Sequence, residues 1–166
     1  MGANGLTGGC QCGAVRYRLT ATPSGASICH CRMCQKATGS PYGAYAPIAS
    51  EAVIWTRGEP KTFRSSEIAE RGFCADCGTP LTYRNVTSAR ISVTICSLDD
   101  PNAVAPTYQL DALNAIAWVG DCLNTPNTQI DEWLKNSSTA HMPNDTDMGL
   151  ANEQLPLEGA TTPARP

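Results

Sequence analysis

A chain of 166 residues fits one domain that is large enough to bury a hydrophobic core. The apolar fraction of 42% is that of an ordinary globular protein, and the 14 glycines and 12 prolines favour short strands and turns over long helices. The net charge of −3, with only 12 Lys and Arg residues, argues against partners such as nucleic acid or an anionic membrane, because both need clustered positive charge.

The start of the chain, residues 1–5, lacks the basic residues and the apolar stretch of a secretory signal. No apolar run approaches the ~20 residues that a membrane-spanning helix needs. We therefore expect a cytoplasmic protein, in which thiols stay reduced. Nine cysteines in such a compartment are better explained by metal binding than by disulfides.

Alternation of apolar and polar residues predicts short strands along most of the chain. Val15, Tyr17 and Leu19 alternate with two arginines, which is typical of a half-buried strand. One helical turn is expected within residues 36–41. Further strands are predicted over residues 42–48, 53–55, 81–84, 91–95 and 115–119, and residues 63–73 are interpreted as a hairpin rather than a helix.

The clearest helix is predicted close to the C-terminus, over residues 128–135. Thr128 can cap it, and the acidic residues of its first turn favour it electrostatically. From Asn136 the sequence is rich in Asn, Thr, Pro and Ala and offers little to bury. We therefore divide the chain into a metal-binding domain, residues 1–135, and a polar tail, residues 136–166, which is either flexible or lies along the body or a partner subunit.

Seven of the nine cysteines fall into three tight groups. A tetrahedral zinc site takes four ligands, and seven is four plus three. The cysteine pattern therefore predicts one closed structural zinc site and one zinc site with a vacant position. The three groups are Cys10 with Cys12, then Cys29, Cys31 and Cys34, and finally Cys74 with Cys77.

The structural site is assigned to the two separated pairs, Cys10 with Cys12 and Cys74 with Cys77. Closing both pairs on one metal staples the N-terminal strand to the middle of the chain. A zinc site of this kind contributes about 10–16 kcal/mol of apparent binding free energy to folding. The alternative, in which these thiols are small core residues, fits poorly with two close pairs that both lie beside glycine.

The second site is assigned to Cys29, Cys31 and Cys34. Three thiolates leave a zinc ion with one net negative charge and an open coordination position. Such a zinc is a weak Lewis acid, but it can hold a soft fourth ligand, such as a substrate thiol, reversibly. The alternatives are a site without metal, an oxidised site, or a closed site completed by His30, Cys96 or Cys122.

The residues around the second site are open to two interpretations. His30 lies between two ligands, so we expect its side chain to point away from the metal, into the surroundings of the site or to the surface. Cys96 and Cys122 are expected to be buried core residues. No general acid or base can be assigned, and the candidates are His30, Tyr42 and Glu67.

The polar and aromatic residues close to the second site in sequence are candidates for contact with a substrate. Arg32, Gln35 and Lys36 would either attract a substrate carboxylate to the open site or form solvated surface. Tyr42 and Tyr45 would either line a pocket or pack in the sheet.

The seven clustered cysteines lie in three motifs, which are Gly9-Cys10-Gln11-Cys12-Gly13, Cys29-His30-Cys31-Arg32-Met33-Cys34-Gln35-Lys36-Ala37-Thr38-Gly39 and Phe73-Cys74-Ala75-Asp76-Cys77-Gly78. With these motifs in this order, the chain resembles the glutathione-dependent formaldehyde-activating family, which is also linked by name to centromere protein V. The likeness covers roughly residues 7–101, and the chain departs from the family's pattern after residue 106.

The resemblance implies a mainly β protein with the β-tent fold, in which small antiparallel sheets are stapled by a structural zinc. It also implies that the two separated pairs hold that zinc and that Cys29, Cys31 and Cys34 hold a catalytic one, which makes two zinc ions per chain. The family name implies condensation of glutathione with formaldehyde to S-hydroxymethylglutathione, a carbon–sulfur lyase reaction in reverse.

We therefore expect a zinc-dependent carbon–sulfur lyase-type enzyme that acts on a small carbonyl-derived substrate, with glutathione as a candidate cosubstrate. The alternatives are a zinc enzyme acting on an imine or on another C–N or C–S substrate, and a non-enzymatic, zinc-stapled binding module. Nucleic acid and membranes are not expected as partners, and a homodimer is left open.

Overall fold

A computed structural model describes residues 5–126, and this part of the chain forms two β-sheets and one short α-helix. The helix, α1, spans Arg32–Thr38. The strands are β1 Thr7–Gly9, β2 Arg16–Leu19, β3 Ser27–Cys29, β4 Gly43–Ala49, β5 Val53–Arg57, β6 Lys61–Arg64, β7 Ala69–Phe73, β8 Pro80–Asn85, β9 Arg90–Thr94 and β10 Tyr108–Leu110.

The smaller sheet has three strands in the order β1-β2-β5, and the larger has seven in the order β10-β3-β4-β9-β8-β7-β6. All neighbouring strands run antiparallel except β3 and β10, which are parallel. The expectation of a mainly β protein with small sheets is therefore confirmed.

One hydrophobic cluster joins the inner faces of both sheets. Leu19 of β2 and Leu81 of β8 are fully buried in it, and each such side chain contributes about 1.5–3 kcal/mol relative to an exposed one. Val15 and Tyr17 are buried as well, whereas Arg18 is exposed. The alternation predicted for this segment is thus confirmed.

The chain that follows β9 ties the two sheets together. Leu98 forms a bridge with Gly8 of β1, and Asp99 accepts hydrogen bonds at 2.5 Å from the side chains of Thr7 and Arg16. These bonds hold the pKa of Asp99 below its ordinary value, although partial burial acts in the opposite direction. A short acidic segment therefore anchors the edge strand of the smaller sheet to the larger one.

Most strand predictions are confirmed, including the hairpin formed by β6 and β7, but the strand predicted over residues 115–119 is wrong. This stretch turns through a 3₁₀ helix over Ala117–Gly120, closed by a bond from the Val119 N–H to the Ile116 carbonyl, and Trp118 is 56% exposed. The local turn satisfies backbone groups that a strand would have paired with a neighbour.

Three further differences concern short elements. The helix α1 begins at Arg32 and makes two turns, whereas a single turn was predicted after residue 36. The strands β1, β3 and β10 were not predicted, because three-residue strands carry little periodic signal. Gly8 is needed in β1 because an added Cβ would lie 2.4 Å from the Ser97 carbonyl oxygen and 2.5 Å from the Tyr17 hydroxyl.

The predicted helix over residues 128–135 and the predicted tail over residues 136–166 lie outside the described residues, so the domain boundary at 135 stays a prediction. Within residues 5–126, every helix is too short or too polar to cross a lipid bilayer. The cytoplasmic location stays a prediction.

Candidate metal centres

The two separated cysteine pairs meet in space. The four sulfurs of this group, called the quartet below, lie within 4.8 Å of one another: Cys10, Cys12, Cys74 and Cys77. The Cys10–Cys12 and Cys12–Cys74 sulfur separations are 3.5 Å and 3.7 Å. Tetrahedral zinc with Zn–S bonds of about 2.3 Å separates its sulfurs by about 3.8 Å. The donor set and its spacing therefore fit zinc.

Two tight turns from different sheets present the quartet. Cys10 follows β1, and the Gly13 N–H donates to its carbonyl at 3.1 Å. Cys74 follows β7, and the Gly78 N–H donates to its carbonyl at 2.9 Å. Gly13 and Gly78 both have left-handed backbones, with φ of 74° and 77°, which glycine adopts without steric cost. Each turn aims two thiols at one point.

The local environment gives two of the quartet thiols, Cys12 and Cys77, pKa values that differ in opposite directions from the ordinary value. Burial raises the pKa of Cys12 to about 12. Burial also acts on Cys77, but hydrogen bonds from Thr79, whose hydroxyl oxygen lies 3.1 Å from its sulfur, bring its pKa down to about 6. Val15 donates its N–H to the Cys10 sulfur at 3.2 Å. Backbone and hydroxyl donors thus support thiolate sulfurs on both turns.

The second group of cysteines, called the trio below, also meets in space. The sulfurs of Cys29, Cys31 and Cys34 lie within 4.8 Å of one another. Cys29 ends β3, Cys31 is the N-cap of α1, and its sulfur accepts the N–H of Cys34 at 3.4 Å. The helix is stopped by Gly39, whose φ of 62° forms a left-handed cap. Strand end and helix start therefore aim three thiols at one point.

The trio opens into a cleft of about 270 Å³. All three cysteines line it, together with the side chains of strands on either side. The remaining lining residues are Ser27, Met33, Tyr45, Pro47, Ser66, Ile68, Ala69, Arg71, Tyr83, Ser92, Tyr108 and Leu110. This setting differs from that of the quartet, whose sulfurs are part of the hydrophobic core or pack against it.

Arg71 is a residue beside the trio that sequence reasoning missed. It is 5% exposed and donates to the Cys34 sulfur at 3.3 Å and to the Tyr45 hydroxyl at 2.7 Å. Burial opposes ionisation of Cys34, but hydrogen bonds from Arg71, the other two trio thiols and Tyr45 together hold the pKa of Cys34 below its ordinary value. Burial raises the pKa of Cys29 to about 12 and that of Tyr45 above its ordinary value.

A weak signal for Arg71 was present in the sequence. Alternation places Arg71 on the same face of β7 as Ala69, and both are buried. A charged residue at an inward position just before a pair of cysteines is a candidate partner for a thiolate. The segment was difficult to interpret because its Glu67 and Arg71 spacing also suits a helix.

The candidates for acid or base catalysis lie outside the cleft lining. His30 is 2% exposed, with Nε2 2.9 Å from the Gln109 side-chain oxygen and its ring against Tyr42, so it is buried in the body rather than on the surface. Glu67 is exposed. Tyr45 lies in the cleft, so the interpretation of this tyrosine as a pocket residue holds.

The polar residues beside the trio face elsewhere. Arg32 donates to the Gln35 side chain at 2.6 Å, and Gln35 donates to the Asn114 carbonyl at 3.2 Å. Arg32, Gln35 and Lys36 line a separate surface depression with Trp118. They are therefore not at the mouth of the trio.

The prediction that Cys96 and Cys122 are buried is wrong, because both are exposed. Cys96 lies in the 3₁₀ helix Ile95–Ser97, which buries its two neighbours and turns Cys96 outward. Cys122 lies in the exposed turn Cys122–Asn124. Within the described part of the chain, neither these residues nor His30 joins the trio's cluster, so the closed-site alternatives based on them find no support.

Comparison with known proteins gives three findings. The model of the family described as glutathione-dependent formaldehyde-activating enzyme matches residues 5–112. An uncharacterized lyase of Schizosaccharomyces pombe is 33% identical over 76 residues, which are 46% of this chain and 55% of that protein. The chain thus spans about half the length of this curated relative.

The third finding is a crystal structure of a Rhodobacter sphaeroides protein. It superposes with a TM-score of 0.50 and 21% identity and covers 62% of this chain and 98% of its own. At this identity the likeness supports the fold alone. The family match extends the range of 7–101 that the motifs suggested at both ends.

Proposed function

Because the chain belongs to the glutathione-dependent formaldehyde-activating family, we propose that it is a zinc-dependent lyase-type enzyme that acts on a small carbonyl-derived substrate. The first substrate class to test is the adduct of a thiol with an aldehyde, of which S-hydroxymethylglutathione is an example. In the cleavage direction the C–S bond breaks, the hydroxyl loses its proton to leave an aldehyde, and the sulfur takes up a proton to become a thiol.

The observation that carries this proposal is the contrast between the two cysteine groups. The quartet belongs to the hydrophobic core, as a structural site requires. The trio offers only three sulfurs and lines a cleft. An incomplete ligand set beside open space is the arrangement in which catalytic zinc sites keep a position for substrate.

Each residue of the trio's surroundings has a part in this chemistry. Cys29, Cys31 and Cys34 would hold the zinc, which when bound supplies a Lewis acid that stabilises negative charge on sulfur or oxygen. Arg71 places a fixed positive charge beside Cys34. Tyr45 keeps its proton, because burial raises its pKa, so its hydroxyl can donate a hydrogen bond to a developing oxyanion in the cleft.

The size and lining of the cleft support a small substrate. A volume of about 270 Å³ is below the range of about 300–1,000 Å³ that is usual for pockets that hold drug-sized ligands. Met33, Ile68, Tyr108 and Leu110 give the cleft an apolar lining beside the trio.

Three matched serine variants test the proposal. Cys31→Ser should abolish cleavage of S-hydroxymethylglutathione and of simpler thiol–aldehyde adducts, while the circular dichroism spectrum and melting temperature stay close to those of the parent. Cys77→Ser should lose the fold, because the structural site joins the two sheets. Cys96→Ser, at an exposed cysteine outside both groups, is the control and should behave as the parent does.

A different pattern would point to the non-enzymatic zinc-stapled module. In that case Cys31→Ser and Cys77→Ser would lower the melting temperature by the same amount, and the parent protein would not act on any aldehyde–thiol mixture. Activity that survives Cys31→Ser would also contradict the proposal.

A further inference from the structure

The guanidinium of Arg71 lies inside the protein, between three different kinds of partner. It donates to the Tyr45 hydroxyl at 2.7 Å and to the Cys34 sulfur at 3.3 Å. Its central carbon lies 5.1 Å from the centre of the Tyr83 ring, which is a cation–π distance. Arg71 is 5% exposed, so water does little to stabilise its charge.

A buried guanidinium needs a negative charge nearby. The ion pairs found within residues 5–126 join Arg16 to Asp99 and Arg84 to Glu70, and neither includes Arg71. Its Nε also lacks a hydrogen-bond partner among the described residues. Arg71 donates to the Tyr45 hydroxyl and to the Cys34 sulfur, and of these two atoms the sulfur is the one that a bound metal would hold as a thiolate. With a metal at the trio, the thiolates would therefore supply the negative charge beside Arg71.

The backbone next to Arg71 is irregular and closely packed. The register of β7 against β8 shifts between Gly72 and Phe73, where Leu81 is an extra residue in β8. Gly72 permits close contact with β8, because an added Cβ would lie 2.3 Å from the Thr82 hydroxyl oxygen. Arg71 and Tyr45 line both the cleft of the trio and a second cleft of about 240 Å³ on the side of Phe63 and Phe73.

The charges of the site decide what it can bind. Three thiolates and one Zn²⁺ carry a net charge of about −1, and a fourth ligand that is itself an anion would be repelled. The charge of Arg71 brings the total to zero. At short range inside a protein, a unit charge changes the affinity for another charge by at least an order of magnitude.

We propose that Arg71 is a specificity-determining residue that makes the open position of the trio favour an anionic ligand, such as a thiolate or an alkoxide, over a neutral one. This inference rests on the proposed function, because it requires a metal at the trio. Beyond the proposed function, the inference specifies the charge of the ligand that binds at the open position. A substrate that reaches the site as a thiolate fits it, and one that reaches it as a neutral amine does not.

The test uses cobalt-substituted protein, in which the visible absorption of cobalt at an open position changes when a ligand exchanges there. The absorption of cobalt at the closed quartet stays constant during the titration. The parent, Arg71→Met and Arg71→Lys are titrated at one fixed pH with 2-mercaptoethanol, which binds as a thiolate, and with imidazole, which binds as a neutral ligand. Arg84→Met removes a partly exposed arginine from the neighbouring strand and serves as the control.

Arg71→Met is expected to weaken thiolate binding roughly 10- to 100-fold, as is usual when the partner of a metal ligand is lost, and to leave imidazole binding unchanged or tighter. Arg71→Lys keeps the charge and should retain most of the preference for thiolate, and Arg84→Met should match the parent. Because the ratio of the two affinities is compared within each variant, a general loss of packing would lower both and leave the ratio unchanged.

Equal changes for both ligands in Arg71→Met, or a loss in Arg71→Lys as large as in Arg71→Met, would overturn the inference and leave the proposed function standing. Binding of one cobalt ion per chain, with no response to either ligand, would overturn the proposed function and this inference together. The metal count therefore separates the two failures.

Discussion

Tyr17 shows at the scale of one residue how a polar group is accommodated in the core. It is 1% exposed, its hydroxyl lies 2.7 Å from the Ser97 hydroxyl, and its ring packs edge-on against Trp55. Burial raises the pKa of Tyr17 to about 12, and the bond with Ser97 offsets only part of that effect. The native state therefore holds the Tyr17 proton more tightly than the unfolded chain does.

The sign of the resulting pH dependence follows directly. An unfolded tyrosine loses its proton near pH 10, so the stability contributed by neutral Tyr17 is complete below that pH and is lost as the pH rises towards 12. Chemical denaturation should show the parent losing up to about 2–3 kcal/mol more than Tyr17→Phe over this interval. At pH 7, Tyr17→Phe should itself be less stable by about 1 kcal/mol, because the hydrogen bond between Tyr17 and Ser97 is lost. Parallel pH curves for the two proteins would contradict this account.

The residue scale also shows what sequence can and cannot predict at a site. The seven clustered cysteines were predictable, because cysteines at short spacings are how a chain encodes metal ligands locally. The place of Arg71 in the site was not predictable, because it depends on contacts with Cys34 and Tyr45, which belong to other elements of the fold. Cys96 and Cys122 were misplaced, because the helical turns that expose them leave no periodic signal.

At the scale of elements, β4 positions Tyr45 through a glycine. Gly43 of β4 pairs with Cys29 of β3. Tyr45 lies two residues further along β4, on the same face as Gly43. An added Cβ at Gly43 would lie 2.5–2.7 Å from three atoms of the Tyr45 ring and hydroxyl. The ring therefore lies over Gly43, and this lets its hydroxyl meet Arg71.

Gly43→Ala should displace the Tyr45 ring and destabilise the zinc-loaded protein by about 1–3 kcal/mol, the usual cost of overpacking. Urea denaturation measures this cost. Gly120→Ala is the control, because no atom lies within 4 Å of its added Cβ, and it should stay within about 0.5 kcal/mol of the parent. In a Tyr45→Ala background the clash is gone, so Gly43→Ala should cost little there. A similar cost in both backgrounds would show that Tyr45 is not what Gly43 accommodates.

The elements that were predicted correctly are those with a repeating pattern that their neighbours reinforce. β2 alternates buried and exposed residues, and β4, β8 and β9 lie in the middle of the larger sheet with partners on both sides. Residues 115–119 are apolar but short, and they turn on themselves instead of pairing. An apolar run of five residues does not by itself distinguish a strand from a turn.

At the scale of the whole molecule, the two cysteine groups lie in different surroundings. The quartet lies where the turn after β1, in the smaller sheet, meets the turn after β7, in the larger sheet. The trio lies at the end of β3, which pairs in parallel with the edge strand β10, and it opens to the cleft. The family match covers this whole region, whereas cleft-lining residues such as Arg71 and Tyr108 lie outside the three motifs.

The most direct test of this division is X-ray absorption at the zinc edge of protein purified without added thiol. The account predicts two zinc ions per chain with an average first shell of about three and a half sulfurs and half an oxygen or nitrogen, from four sulfurs at the quartet and three at the trio. Two zinc ions with four sulfurs each, or a single zinc ion per chain, would contradict it.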